Sequence, residues 1–128
     1  MAPVNRRQTG AELVAAGRKP DMRRFGQVIG LREDRVQEYD EIHASVWPEV
    51  LALISKYHIR NYSIFRDGTR LFSYFEYVGD DYEADMAAMG AEPINLKWWE
   101  LTEPMQVPDE DRQPGEWWKA IPEVFHLD

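Results

Sequence analysis

Between residues 69 and 78, large apolar side chains fall on both faces of a segment that reads as a β-strand. Successive strand residues point to opposite sides, so Phe72, Tyr74 and Val78 share one face and Leu71, Phe75 and Tyr77 the other. Such a strand needs cover on both sides. Asp67-Gly68, just before it, is a strong hairpin signal and predicts an antiparallel neighbour at 59–66. Helices packed on one face leave the other apolar and open, and a second copy of the chain is the simplest cover.

The remaining periodicities supply the helices. Phe25, Gln27, Ile29 and Leu31 alternate with Arg24, Gly26, Val28 and Gly30, which predicts a strand over 23–31. Val36, Tyr39, Ile42, His43 and Val46 recur at helical spacing, with Asp34 as the expected N-cap. Pro48 lacks an N–H and pushes Trp47 out of helical geometry, so a break is expected there, with a second helical piece opening at Pro48. Asp80 or Asp81 is expected to cap a helix through Met89, and Pro93 to open another through Leu101. Residues 104–115 carry three prolines and several acids and read as a loop; 124–127 reads as a last strand. The order is β-α-β-β-α-β, the ferredoxin-like arrangement of the α+β class. Residues 1–22 read as an N-terminal extension of a domain over 23–128, and the capping-box spacing Thr9-Gly10-Ala11-Glu12 predicts a short helix through Ala16.

Charge and composition narrow the function classes. The net charge of −8 argues against nucleic acid and anionic membrane as partners, since both require a basic footprint. The chain has no cysteine, which removes disulfide and thiolate chemistry. No apolar run approaches membrane-span length and the N-terminus lacks a secretory apolar stretch, so a cytoplasmic location is expected. With three scattered histidines a zinc site is not expected. The acidic run Asp109-Glu110-Asp111 lacks calcium-loop spacing and reads as a solvated loop. No metal or cofactor is expected.

The chemistry concentrates at two places. Tyr39 and His43 lie four apart and project side by side from one helix face, pairing a hydrogen-bonding phenol with an imidazole that titrates near neutral pH. Trp98 and Trp99 offer a flat apolar wall for a sugar ring. Successive helical residues diverge by about 100°, so one can face a pocket while the other packs in the core. His58, near the end of the second helical piece, reads as structural. Trp47, Trp117 and Trp118 read as packing. Glu76, in the middle of an aromatic strand, fits either sugar hydroxyls or an arginine across the sheet.

The ordered set Glu38-Tyr39, His43, Trp47-Pro48-Glu49, Asn61-Tyr62-Ser63-Ile64, Leu71-Phe72, Lys97-Trp98-Trp99 and Glu123-Val124-Phe125 resembles the L-rhamnose mutarotase family over nearly the whole chain after the extension. The resemblance implies a dimeric α/β barrel on the ferredoxin-like fold. It also implies an isomerase that interconverts the anomers of a 6-deoxy-L-sugar by acid/base catalysis without a cofactor. His43 would be the proton donor, and Tyr39, Tyr62, Trp98 and Trp99 would contact the sugar. The chain departs from the family in two places, an N-terminal extension longer than usual and one loop. The loop after the Trp-Trp helix, Asn-Pro-Asp-Asn-Ser-Pro-like in the family, is Val107-Pro108-Asp109-Glu110-Asp111-Arg112-Gln113-Pro114 here. Such loops shape a site's mouth, so both L-rhamnose and L-fucose remain in play as the sugar. Two other classes share the fold or the partner: small monooxygenases or haem-binding proteins, and a non-catalytic sugar-binding module.

Overall fold

The computed structural model describes residues 22–128. The expected extension, apart from Met22, and its short helix therefore lie outside the described residues. Strand β1 (Arg23–Leu31) leads through a short 3-10 turn (Glu33–Arg35) into α1 (Val36–His43) and α2 (Pro48–Lys56). A hairpin of β2 (Ile59–Asp67) and β3 (Arg70–Tyr77) follows, then α3 (Tyr82–Ala91), α4 (Pro93–Thr102) and a second 3-10 turn (Glu103–Met105). Two short strands, β4 (Gln106–Val107) and β5 (Lys119–Ile121), complete the regular structure of the described residues. No described helix is long and apolar enough to cross a membrane.

The sheet runs in the order β2-β3-β1-β4, with β5 also paired to β1. Both central pairings are antiparallel, β1 with β3 from Arg23↔Tyr77 to Gly30↔Arg70, and β2 with β3 around Gly68 at φ 58. This is the ferredoxin-like α+β arrangement, in which consecutive strands β1 and β2 are separated by β3. At Gly30 the sheet closes tightly: a Cβ there would sit 2.7 Å from the Val107 carbonyl oxygen of β4, so only glycine lets that strand approach.

The prolines punctuate as their chemistry requires. Pro48 and Pro93 each stand in the first turn of a helix, and Trp47 is extended at φ −54, ψ 131. Asp81 caps α3 by accepting from the Ala84 N–H at 3.2 Å. Two expectations are corrected. Asp34 is not the N-cap of α1; it lies in the 3-10 turn and binds the Arg32 guanidinium, while the turn's own Arg35 N–H to Arg32 carbonyl bond starts the helix. The last strand is Lys119–Ile121 rather than 124–127. Pro122 has no N–H to continue the ladder, so the chain leaves the sheet there.

The helices cover one sheet face. Ile29, Leu31 and Leu71 pack there with Tyr39 and Met105, and a second cluster joins Ile59, Phe75 and Tyr77 to Ile54, Tyr82 and Met86. The other face carries a stripe of Phe65, Phe72 and Val28 in register across three strands. Phe65 is 65% exposed and Phe72 40%. Beyond the sheet, Val124, Phe125 and Leu127 are the most exposed large apolar side chains among the described residues, at 79–92%.

Candidate active site

The end of α1 places the chemistry. Tyr39 and His43 are one turn apart, and their rings stack with centroids 4.0 Å apart. His43 Nδ1 lies 2.8 Å from the Tyr39 carbonyl oxygen, which can only accept, so Nδ1 carries the proton and donates. The other ring nitrogen, Nε2, is thereby left with its lone pair. Trp98 reaches in from α4 and meets the His43 ring edge-on at 5.4 Å. Trp98 in turn packs edge-on against Trp47, in the break between α1 and α2, at 5.0 Å. Trp47, read as packing, packs indeed, but against a residue that touches His43.

Electrostatics follow from this enclosure. Burial disfavours the imidazolium and lowers the His43 pKa below its ordinary value, against the opposing pull of the Tyr39 carbonyl and the Asp40 charge. Burial likewise raises the Tyr39 phenol, helped by Tyr62 nearby and opposed by the Gln106 side chain, so Tyr39 is a permanent O–H donor at neutral pH. Gln106 is itself nearly buried, and its Oε1 accepts from the Trp117 indole N–H at 2.8 Å. An indole can only donate, so the amide's N–H end is the one left for Tyr39. Nothing in the sequence spacing signals Gln106, because strand β4 is too short to have a readable period.

Tyr62 follows Asn61, whose φ of 51 marks the irregularity in β2 between Arg60 and Ser63. Its ring leans on Phe75 at 5.6 Å. Its phenol is pushed up to about 12, mainly by burial, although 42% of the residue's surface is open. Trp99 diverges from Trp98. It is half-exposed and lies over Gly90 of α3, where an added Cβ would come within 3.4 Å of its ring. Of the two tryptophans, Trp98 is the buried one, 7% exposed, and it meets the His43 ring.

A cavity of about 310 Å³ opens beside the pair, lined by Tyr39, Asp40, His43, Ala44, Ile64, Arg66 and Leu71. That lies at the lower end of the range for small-molecule sites, about 300–1,000 Å³. Asp40 and Arg66 were not singled out from the sequence. Tyr62, Trp98 and Trp99 are outside this lining.

The other candidates resolve elsewhere. Glu76 lies on the sheet face away from the helices, where it accepts from Asn61 and from the Tyr74 hydroxyl, both at 2.6 Å. Arg24, its register partner on β1, bonds Glu123 instead. His58 Nδ1 sits 3.0 Å from Asp85, which also bonds the Tyr77 hydroxyl; this cluster ties α3 to the sheet, as a structural histidine would. The acidic loop is not simply solvated. Asp109 takes a two-pronged bond from Arg70 at 2.7 and 3.1 Å and anchors the loop, while Asp111, mostly exposed, pairs with Lys119.

Comparison with known proteins places this arrangement. The model of the L-rhamnose mutarotase family matches residues 24–127. The chain belongs to the L-rhamnose mutarotase family. A protein of Lactiplantibacillus plantarum named L-rhamnose mutarotase is 39% identical over 109 residues, 84% of this chain and all of its own length. One of the same name from Oceanobacillus iheyensis is 34% identical over the same shares. The crystal structure of an L-rhamnose mutarotase from Formosa agariphila superposes with a TM-score of 0.65 at 26% identity, covering 83% of this chain and 99% of that one. The family match starts at the second residue of β1 and runs into the exposed tail, so it takes in both the enclosed His43 and the uncovered sheet face.

Proposed function

We propose that this protein interconverts the α and β anomers of a 6-deoxy-L-sugar, with His43 carrying the proton and Tyr39, Tyr62, Trp98 and Trp99 contacting the sugar. The observation that carries this reading is the Nδ1–H bond to the Tyr39 carbonyl, which leaves Nε2 as the exchanging nitrogen of a ring that lines the cavity. Ring opening removes a proton from the anomeric hydroxyl and delivers one to the ring oxygen, and both oxygens are bonded to the same carbon. Neutral His43 takes the first proton at Nε2. The imidazolium, disfavoured by burial, then gives it up to the ring oxygen as a strong donor. Closure on the opposite face of the carbonyl reverses the steps. Tyr39 holds the oxygens in place with its O–H, and neither nucleophile nor metal takes part. The uncatalysed reaction is not very slow, so a barrier lowered by a few kcal/mol suffices.

Saturation-transfer NMR tests the reading with L-rhamnose, L-fucose and their 6-hydroxy counterparts. Anomer exchange faster than buffer for a 6-deoxy sugar, with nothing added, is the expected result. A sugar that binds without faster exchange would make the protein a binding module instead. The pH profile tests the proton carrier. Because the His43 pKa is lowered, the neutral form persists at neutral pH and is lost on acidification. The enzymatic part of the rate should therefore rise from acid pH through a midpoint below about 6.5 and stay level above it. A rate that falls as pH rises from about 6 to 8 would mean that the resting imidazolium is the active form.

We also read the chain as a homodimer that packs sheet on sheet. The exposed Phe65 and Phe72 on the sheet face and the exposed tail at Val124 and Phe125 support this, since leaving such surface in water costs about 25 cal/mol per Å². Sedimentation equilibrium of the full chain should report twice the 15.0 kDa chain mass. A monomer at micromolar concentration would require another cover for this face. A cytoplasmic location accords with this reading.

A further inference from the structure

The cavity beside His43 has two unlike sides. Ala44, Ile64 and Leu71 are apolar; Asp40 and Arg66 form a charged lip next to Tyr39 and His43. Arg66 grips Asp40 in two-pronged fashion, Nε to Oδ1 at 2.8 Å and Nη2 to Oδ2 at 2.7 Å, and its Nη1 donates to the Gly68 carbonyl at 3.1 Å. Neither group is thereby exhausted. A guanidinium has five N–H donors, of which these bonds use three, and a carboxylate has about four acceptor positions, of which they use two. The free donors and acceptors lie side by side on a pair whose side chains are 32% and 49% exposed, open enough to meet a ligand.

Fastening α1 to the hairpin does not account for the pair, because a half-exposed ion pair stabilises a fold little. The placement fits recognition better. Asp40 stands three residues before His43 on the same helix, and Arg66 stands two after the cavity-lining Ile64 on the same strand face. Two adjacent hydroxyls of a sugar ring each donate and accept. They match a neighbouring carboxylate and guanidinium that retain both capacities.

We propose that Asp40 and Arg66 form a hydroxyl-reading lip that binds an adjacent pair of ring hydroxyls of the monosaccharide whose anomeric carbon lies at His43. The proposal rests on the mutarotase reading and adds to it the residues that set which sugar is accepted. The ring's hydroxyl edge meets the charged lip, and its apolar edge, including the methyl group of a 6-deoxy sugar, meets Ala44 and Ile64. Arg66 orients the Asp40 carboxylate and contributes its own remaining N–H groups.

The test uses the full-length protein, its Asp40→Asn and Arg66→Met variants, and a panel of monodeoxy analogues of the sugar it exchanges fastest. Rates are read at about pH 8, where His43 stays neutral in every variant. Either substitution should raise KM for the parent sugar about ten-fold and leave kcat within about two-fold, as expected for loss of charge-assisted bonds made equally in ground and transition states. The analogue lacking a hydroxyl that the lip reads should already be about ten-fold poorer for the unaltered protein, and Asp40→Asn should worsen it no further. Analogues deoxygenated elsewhere should lose the full factor on substitution. Arg66→Lys, which keeps the charge and loses the fork, should fall between and serves if Asp40→Asn folds poorly. An unchanged KM, or the same loss for every analogue, overturns the lip while leaving the mutarotase reading intact. No exchange of any sugar by the unaltered protein overturns both.

Discussion

His43→Ala is expected to lower anomer exchange at least about a hundred-fold, the lower end of what a positioned proton-transfer group contributes. Three features make the effect large and specific. The ring is held in one tautomer by the Tyr39 carbonyl at 2.8 Å, so no rearrangement can present another nitrogen from the same position. Among the described residues lining the cavity, His43 is the only imidazole. Asp40, the nearest alternative base there, is held below the usual carboxylate range by Arg66 and so is a weak one. The fold should survive, because alanine favours the helix and the lost stacking with Tyr39 and Trp98 is worth only about 0.5–1.5 kcal/mol per ring pair. The check is saturation-transfer NMR beside a urea unfolding curve. A folded variant with undiminished exchange would place the proton transfer on another group.

Trp98→Ala should damage stability and activity together, with a loss of about 3–5 kcal/mol in unfolding free energy, as for other buried tryptophans cut to alanine. Trp98 is 7% exposed and meets both Trp47 and His43 edge-on. Its removal opens a void between α4 and the break that follows α1, and frees the histidine ring on one side. Trp98→Phe should recover much of the stability. Trp99→Ala should cost far less, since its indole is already half-exposed over Gly90. Denaturant titration followed by circular dichroism decides the matter. Equal costs for the two tryptophans would contradict the packing described here.

Much of the fold was legible because it depends on local chemistry. The alternation over β1, the hairpin at Asp67-Gly68 and the helix openings at Pro48 and Pro93 follow from side-chain period, turn conformation and a missing N–H. The Tyr39 and His43 pairing was legible for the same reason: four residues make one helical turn. Where sequence reasoning failed, weak local signals competed with a neighbour it had not considered. Asp34 resembles a cap but is bound by Arg32. Residues 124–127 resemble a strand, but Pro122 ends the ladder first, and the pairing surface on β1 is taken by Lys119–Ile121. Asp109 resembles a solvated acid but meets Arg70, thirty-nine residues earlier in the chain.

By itself the sequence determined the element order, the ferredoxin-like class, the family and the helix turn that stacks a phenol on an imidazole, since each is written in spacings of a few residues or in an ordered set of motifs. Tertiary structure alone decided which tryptophan touches His43, that Gln106 and Trp117 stand behind Tyr39, and that Asp40 meets Arg66 at the cavity's edge. The physical reason is that these contacts join residues 11 to 67 positions apart, on segments whose mutual angle and depth are set by packing against the sheet. No periodicity within one segment encodes where another segment will lie against it. Burial, which lowers the pKa of His43 and raises that of Tyr39, likewise exists only once the segments have packed.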